Sequence, residues 1–218
     1  MTTLPRVRRT LLRDTAYEVI RDAIVRADIP PGAVVSNATV AEQLGLSRAP
    51  VRDALARLAD EGLVETKPQS YTRVTPLALK EVRDAAEVVR AMHELAVRAA
   101  VPLLTATHVE AMRGANRRFE AATLAADADA AMDSDDDLHG VLLSVCGNQA
   151  VAATVERYTP LIRRLERHQF SSARALSSVR RHDELIAACA AGDVGQAIQV
   201  TARIWRSLED LAEDPSAH

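Results

Sequence analysis

Aromatic residues are scarce in this sequence, with two Phe, three Tyr and one Trp among 218 residues. Alanine is plentiful instead, and this balance favours closely packed helices over sheets. No apolar run approaches the ~18 residues that a membrane-spanning helix needs, so we expect no such segment. The basic N-terminal segment 1–10 is followed by no apolar core. It therefore lacks the pattern of a secretory signal, and we expect a cytoplasmic protein.

Cysteine is rare as well. Cys146 and Cys189 lie far apart within helical patterns, and neither belongs to a CxxC spacing. This arrangement excludes a disulfide framework and a cysteine-rich metal site. We expect both to be buried, reduced thiols.

The motifs of common enzyme classes are also missing. The sequence has no Gly-rich phosphate loop, no nucleophile motif and no candidate general base with a dedicated carboxylate partner. We therefore predict that the protein is not an enzyme. A helical metal-dependent hydrolase that uses an Asp/His cluster is the catalytic alternative.

The acidic run from Asp133 to Asp137 has the alternate spacing of an EF-hand, but it does not satisfy that motif. Leu138 stands where the loop needs Gly, and Ser144 stands where it needs Glu. Negative charge is favourable at the start of a helix, so the run predicts a helix N-terminus instead.

The most informative feature that is present lies in segment 40–64, where two short helical patterns are separated by a break at Gly45. Glycine favours the end of a helix, and Ser47 favours the start of the next. This is the layout of a helix-turn-helix. Arg48 and Arg52 are four residues apart on the second helix, so both project from one side. Because Arg suits both phosphates and guanine edges, the segment predicts DNA binding.

Charge is divided unevenly along the chain. Residues 1–76 carry 11 Lys and Arg against 9 Asp and Glu, whereas residues 77–218 carry 16 against 21. The basic end coincides with the helix-turn-helix, which is consistent with a DNA-facing part and a part that faces other ligands.

Turn and helix signals predict two domains and a mainly α fold. A first helix beginning at Asp14 or Thr15, a short strand at 34–35 and two β-segments at 63–66 and 71–74 complete a winged helix-turn-helix domain in residues 1–76. Residues 77–218 predict an antiparallel all-helical bundle. Its helices are expected at 77–101, 105–125, 132–146, 149–169, 175–191 and 193–212.

The N-terminal domain resembles the GntR family of bacterial transcription regulators. The matching residues are 44–48, 50–55, Leu58 and 61–64. The helical remainder resembles the FCD ligand-binding domain of the FadR subfamily. The matching residues there are Val89, Arg90, Glu94, Asp135, Leu138, His139, Gly147, Asn148, His182, Gly192 and Asp193. The resemblance implies a homodimer that binds a palindromic operator in double-stranded DNA, usually as a repressor. A small-molecule effector in the helical domain would control that binding; a DNA-binding dimer without an effector is the alternative.

The resemblance also implies roles for the recognition helix. Arg48 and Arg52 would contact the operator, and Ser47 at the start of the same helix is a further expected DNA contact. Some family members carry a further basic residue at the position of Ala38, so that contact is absent in this sequence.

The wing departs from the family pattern. Its tip normally carries Gly, whereas this chain has Tyr71, which lacks the backbone freedom of Gly. We expect the Tyr71 hydroxyl to reach a phosphate instead, supported by Arg73.

Many FCD domains bind a divalent metal through one Asp and three His. Here Asp135 and His139 are four residues apart on one helix, and His182 is the expected third ligand. Ile204 occupies the position of the fourth. The sequence predicts either an incomplete site for Zn²⁺ or a similar ion, or a polar pocket without an ion. His93 lies within an apolar stripe and is either a core histidine or a substitute ligand.

The effector site is expected to hold a carboxylate. Arg90 stands one turn before Glu94, so it either pairs with that residue or faces the pocket and binds the effector. Arg163 and Arg164 are further candidates, although a solvated helix face is the favoured interpretation of that pair.

Overall fold

The computed structural model of the chain describes residues 10–67, 70–168 and 172–211. It divides after Leu77 into two compact units. In the first unit the elements are α1 Thr10–Val25, α2 Asn37–Gln43, α3 Arg48–Asp60, β1 Val64–Lys67 and β2 Tyr71–Val74. In the second they are α4 Leu79–Ala100, a 3₁₀ turn at Val101–Leu103, α5 Ala106–Leu124, α6 Ala128–Cys146, α7 Gln149–His168, α8 Ser172–Ala190 and α9 Val194–Leu211. The predicted fold class, a winged helix-turn-helix followed by a helical bundle, is confirmed.

The turn between α2 and α3 forms as its glycine predicts. Gly45 has a φ of +64°, a conformation that residues with a side chain rarely adopt. Leu46 N–H then donates to Ala41 O at 2.9 Å and closes the end of α2. Ser47 is the N-cap of α3, although its side chain makes no capping hydrogen bond. This turn leaves the start of α3 exposed while its apolar side packs against α1.

The core of the first unit combines buried aliphatic side chains from α1 and α3 with Leu63, Val64 and Val74 of the hairpin region. The residues from the two helices include Ala16, Ile20, Ile24, Val51, Leu55 and Leu58. The first helix begins at Thr10, one turn earlier than predicted, and ends at Val25.

The wing is an antiparallel hairpin in which Val64 pairs with Val74 and Lys67 pairs with Tyr71. The predicted strand at 34–35 is reduced to a single bridge between Val34 and Arg73. Val35 N–H also donates to Thr72 O at 2.7 Å, so this segment lies along the edge of β2. Pro68 and Gln69 of the predicted wing turn lie outside the described residues.

In the second unit α4 packs against α6, α7 and α9, while α5 packs against α6 and α8. The apolar stripe of α4 is buried as predicted, including Val82, Val89, His93 and Ala96. The helix predicted near 132–146 is present as α6 but starts about one turn earlier. The helix begins at Ala128, because the Asp127 side chain accepts a hydrogen bond from Ala130 N at 3.0 Å and caps it.

The acidic run from Asp133 to Asp137, which the sequence predicted as a helix N-terminus, therefore lies more than one turn inside α6. Along the described ranges, no helix combines the length and apolar character that crossing a membrane requires.

The two cysteines differ in burial. Cys189 is buried as predicted, Cys146 is only half-buried, and both are free thiols.

Candidate DNA interface and effector pocket

A groove of about 670 Å³ runs between the start of α2, the start of α3 and the wing. Its lining includes Arg48, Arg52 and Tyr71, three of the residues that the sequence predicted for DNA contact. Arg48 and Arg52 are both exposed. The groove thus brings two arginines of the recognition helix and the wing tyrosine to one surface.

Arg52 has an acidic neighbour, but the pairing is weak. Its Nη2 lies 3.5 Å from Asp53 Oδ1, and the Arg52 side chain is 71% exposed. Exposed pairs of this kind contribute at most about 1 kcal/mol. The guanidinium can therefore exchange Asp53 for a phosphate or a base edge at little cost.

Lys67 lines the same groove and was missed by the sequence analysis. It is the last residue of β1 and lies opposite Tyr71 in the hairpin. A lysine beside the wing turn was the signal that could have identified it, because a cation at that place adds phosphate affinity.

The structure places Arg73 differently from Lys67. Its Nε donates to Glu65, which pairs with it across the hairpin. Its guanidinium lies over the Tyr71 ring, 4.6 Å from the centroid. Neither Arg73 nor Ser47 is among the residues that line the groove. Arg73 therefore supports Tyr71 by stacking rather than by facing the groove.

In the second unit, Asp135 and His139 of α6 meet His182 of α8. Asp135 Oδ1 lies 3.2 Å from His182 Nε2 and 3.8 Å from His139 Nε2. One ligand atom from each of the three residues lies within 4.8 Å of the others. The sequence-predicted metal ligands are thus brought together, with both imidazoles buried.

The chemistry of this cluster fits a divalent metal. A Zn²⁺ ion bonds nitrogen and carboxylate oxygen at about 2.0–2.2 Å, so atoms on one ion are at most about 4.4 Å apart. Both distances from Asp135 Oδ1 lie within that limit. Burial lowers the pKa of His139 to about 4, so its imidazole is neutral, which is the form that binds a metal.

A cavity of about 80 Å³ adjoins the cluster. Its wall combines Asp135, His139 and His182 with Arg163, Glu166, Arg174 and the apolar side chains Phe119, Ile204 and Trp205. Ile204, at the position of the missing fourth ligand, contributes an apolar surface. The cavity can thus accept a small molecule with a polar end at the cluster and an apolar remainder.

Arg163 corrects one interpretation of the sequence. Arg163 and Arg164 do not lie on a solvated face but are buried, with 7% and 6% of their surfaces exposed. Arg163 Nη2 lies 2.6 Å from Asp135 Oδ2, and its Nη1 lies 2.7 Å from Glu166 Oε2. The sequence pattern failed because the partners that allow this burial lie on another turn and another helix.

The charge balance around Arg163 matters for the cluster. Asp136 also accepts a hydrogen bond from Arg163, so three carboxylates face one guanidinium. Burial opposes ionisation of Asp135, yet the charge of Arg163 holds the pKa of that carboxyl well below its usual range. Burial raises the pKa of Glu166, so the negative charge that attracts a further cation at the cluster is that of the ionised Asp135.

His93 lies beside this region, whereas Arg90 does not line the cavity. The buried His93 ring stacks on Trp205 with centroids 4.6 Å apart and lies 5.3 Å from the His139 ring. It is outside the set of three residues whose ligand atoms converge, so its position matches a core histidine. Arg90 Nη1 lies 3.3 Å from Glu94 Oε1 and is not among the residues that line the cavity.

Comparison with known proteins agrees with this architecture. Residues 12–74 match the family model for bacterial regulatory proteins of the gntR family, and residues 84–207 match the model for the FCD domain. The chain is similar to the HTH-type transcriptional repressor RspR of Escherichia coli, with 24% identity covering 90% of this chain and 86% of that protein.

Two further similarities extend over nearly the whole chain. An uncharacterized HTH-type transcriptional regulator in an unstable DNA locus of Streptomyces ambofaciens is 30% identical, covering 96% of this chain and 88% of that protein. The solved structure of E. coli McbR/YncC has the same fold, with a TM-score of 0.82, 18% identity and coverage of 93% and 97% of the two chains. The chain therefore belongs to the GntR family of DNA-binding transcription regulators, and its helical unit is an FCD domain.

Proposed function

We propose that this regulator is a repressor that binds a palindromic operator as a homodimer and is controlled by a small carboxylate effector in its FCD domain. RspR, the relative from E. coli, is named a repressor. The observation that carries the proposal is the groove in which Arg48, Arg52 and Lys67 lie together with Tyr71. Three cations on one concave surface match the phosphate and base-edge contacts of a DNA reader.

A gel-shift assay on the DNA upstream of the protein's own gene tests this role. We expect a salt-sensitive, sequence-specific complex that Arg52→Ala weakens at least ~10-fold, equivalent to the loss of one base or phosphate contact. Arg26→Ala is the matched control, because Arg26 is exposed in the same unit but does not line the groove. Equal binding to unrelated DNA would contradict the proposal.

The homodimer follows from the palindrome, because two-fold DNA half-sites require a two-fold reader. An exposed apolar side of α4 supports it, since Val88 and Leu95 are 39% and 43% exposed and stand two turns apart. A second copy of the chain is the occupant we propose for this side. Sedimentation equilibrium should give twice the chain mass, and Leu95→Glu should lower it. Leu124→Glu, at another exposed apolar position, should not.

For the FCD domain we infer a metal-assisted carboxylate site. Asp135, His139 and His182 would hold the ion, and a bound Zn²⁺ would supply a Lewis-acid anchor for a carboxylate oxygen of the effector. Arg163 and Arg174 on the cavity wall add positive charge for the same ligand. Arg90 would take part only if its pair with Glu94 opened. A thermal-shift screen of divalent metals with small carboxylates tests this site, and no shift with any would favour a DNA-binding dimer without an effector.

We infer that the cluster binds ligands and does not catalyse a reaction. A general base works best with a pKa near the working pH, whereas the charge of Arg163 keeps the pKa of the Asp135 carboxyl well below its usual range. Because its partner is bacterial DNA, we place the protein's action in the cytoplasm.

An effector can control operator binding only if it binds the DNA-binding state and the released state of the protein with different affinities.

A further inference from the structure

Asn116 is a buried amide on α5 that contacts both α8 and the proposed metal site. Its Nδ2 donates to the Val179 carbonyl oxygen at 3.2 Å and to Asp183 Oδ1 at 2.8 Å. Its Oδ1 lies 3.1 Å from His182 Nδ1. Only 4% of the Asn116 surface is exposed, so water does not replace these contacts.

These partners fix the orientation of the amide. A carbonyl oxygen and a carboxylate oxygen only accept hydrogen bonds, so the side facing Val179 and Asp183 must be the NH₂ group. The Asn116 oxygen is thereby turned toward His182. Because that oxygen can only accept, the His182 nitrogen facing it must carry the proton.

The proton on Nδ1 determines what the other ring nitrogen can do. A neutral imidazole protonated on Nδ1 has a lone pair on Nε2. His182 Nε2 lies 3.2 Å from Asp135 Oδ1, so in this neutral tautomer a lone pair and a carboxylate oxygen face each other. Two electron-rich atoms at this separation repel each other. A cation bound between them makes the arrangement favourable.

The ring plane of His182 is also held. Phe119, on the same helix as Asn116, meets the imidazole edge-on with ring centroids 5.1 Å apart. His182 is completely buried, so neither rotation nor flipping of the ring is open to it without repacking. Orientation and proton position are therefore both set from α5.

We propose that Asn116 is a positioning residue that selects the Nδ1–H tautomer of His182 and so raises the affinity of the Asp135, His139 and His182 cluster for Zn²⁺. This inference rests on the metal site proposed above. Partners of this kind on metal-binding histidines contribute about 10–100-fold to metal affinity. The alternative is that Asn116 only holds α5 against α8 and does not affect metal affinity.

The test combines two measurements on the full chain after removal of metal with a chelator. Long-range ¹H–¹⁵N NMR at mildly alkaline pH reports which ring nitrogen of His182 is protonated, with His182→Gln assigning the signal. Competition with a fluorescent chelator gives the Zn²⁺ affinity. Asn116→Leu removes the amide at similar size. Thr123→Val is the matched control, because Thr123 is fully buried on α5 and its hydroxyl has no hydrogen-bond partner among the described residues.

We expect the wild type to show the Nδ1–H tautomer, and Asn116→Leu to lose it together with about 10–100-fold in Zn²⁺ affinity. Thr123→Val should change neither. An Nε2–H tautomer in the wild type would overturn the proposal, and that measurement needs no variant to fold. An unchanged Zn²⁺ affinity in a folded Asn116→Leu chain would also overturn it. If the wild type binds no Zn²⁺, the metal site itself fails, whereas the tautomer still decides whether Asn116 orients His182.

Discussion

Arg163 Nη2 lies 2.6 Å from Asp135 Oδ2, an ion pair between α7 and α6 that joins residues 28 positions apart. The pair uses one carboxylate oxygen of Asp135 and leaves the other facing the imidazoles of His139 and His182. Arg163 thus orients the carboxylate and neutralises part of its charge. The same guanidinium lies on the wall of the cavity, where it can also meet an anionic effector.

Removing this guanidinium should destabilise the FCD domain. Arg163→Met leaves the buried Asp135 without its partner, and breaking a buried pair costs about 3–5 kcal/mol. Arg118→Met is the control, because its pair with Asp137 is exposed and should contribute less than about 1 kcal/mol. Urea denaturation followed by circular dichroism measures both. Equal losses for the two variants would refute the structural role given to Arg163.

Tyr17 should make the winged domain sensitive to alkaline pH. Its hydroxyl donates to Glu61 Oε2 at 2.8 Å, and burial with this hydrogen bond raises the pKa of Tyr17 to about 12. The unfolded chain titrates near its ordinary value of about 10. The folded state thus holds the proton more tightly, so this stabilisation is complete below about pH 10 and is lost as pH rises through about 12.

Tyr17→Phe tests that linkage. It should lower the free energy of unfolding by about 1.5–3 kcal/mol near neutral pH, because a hydrogen bond to a charged group is lost. The difference between wild type and variant should shrink as the solution becomes alkaline. Tyr158→Phe, in the other unit, is the control. A difference that stays constant up to about pH 12 would show that the hydrogen bond to Glu61 does not stabilise the domain.

Lys67 should contribute a phosphate contact. The chain has two lysines, Lys67 in the groove and Lys80 on α4, which gives a matched pair of variants. Lys67→Ala should weaken binding to specific and nonspecific DNA alike and reduce the salt slope by about 0.9. Lys80→Ala should do neither, because Lys80 pairs with Asp84 and is not among the residues that line the groove. Fluorescence anisotropy over a range of salt concentrations measures the slope of log affinity against log salt concentration for each variant. An unchanged slope for Lys67→Ala would exclude the contact.

Trp205 should report metal binding. It is the single tryptophan, and its ring lies 5.9 Å from the His139 ring beside the cluster. Binding of Zn²⁺ to His139 changes the electric field at the indole, so emission should change and saturate at one ion per chain. His139→Gln should abolish the change, whereas His168→Gln, at an exposed position, should keep it. A response that persists in His139→Gln would place the ion elsewhere.

The sequence predicted those features that depend on local spacing. Gly45 and Ser47 marked the turn of the helix-turn-helix because backbone freedom and capping act within a few residues. Asp135 and His139 share one turn of α6, so their convergence followed from helical geometry, and the family resemblance supplied His182.

Other features depend on contacts between distant segments and were not accessible in this way. Arg163 looked like a solvated residue because its carboxylate partners on α6 could not be foreseen. Arg73 was expected to support Tyr71 at a phosphate, but its partner Glu65 on the opposite strand of the hairpin could not be foreseen. No sequence motif identifies the Asn116 amide, because its role depends on hydrogen bonds that form only where α5 packs against α8.

The central claim is that the protein binds a specific DNA sequence. The ratio of two dissociation constants tests it most directly. Full-length protein would be used to enrich binding sites from random duplexes, and the affinity for the enriched duplex would be compared with that for its scrambled sequence at one salt concentration. The account predicts an enriched inverted repeat bound at least about 10³-fold more tightly than the scrambled duplex. A ratio near one would contradict it, because the groove of Arg48, Arg52 and Lys67 would then hold DNA by charge alone.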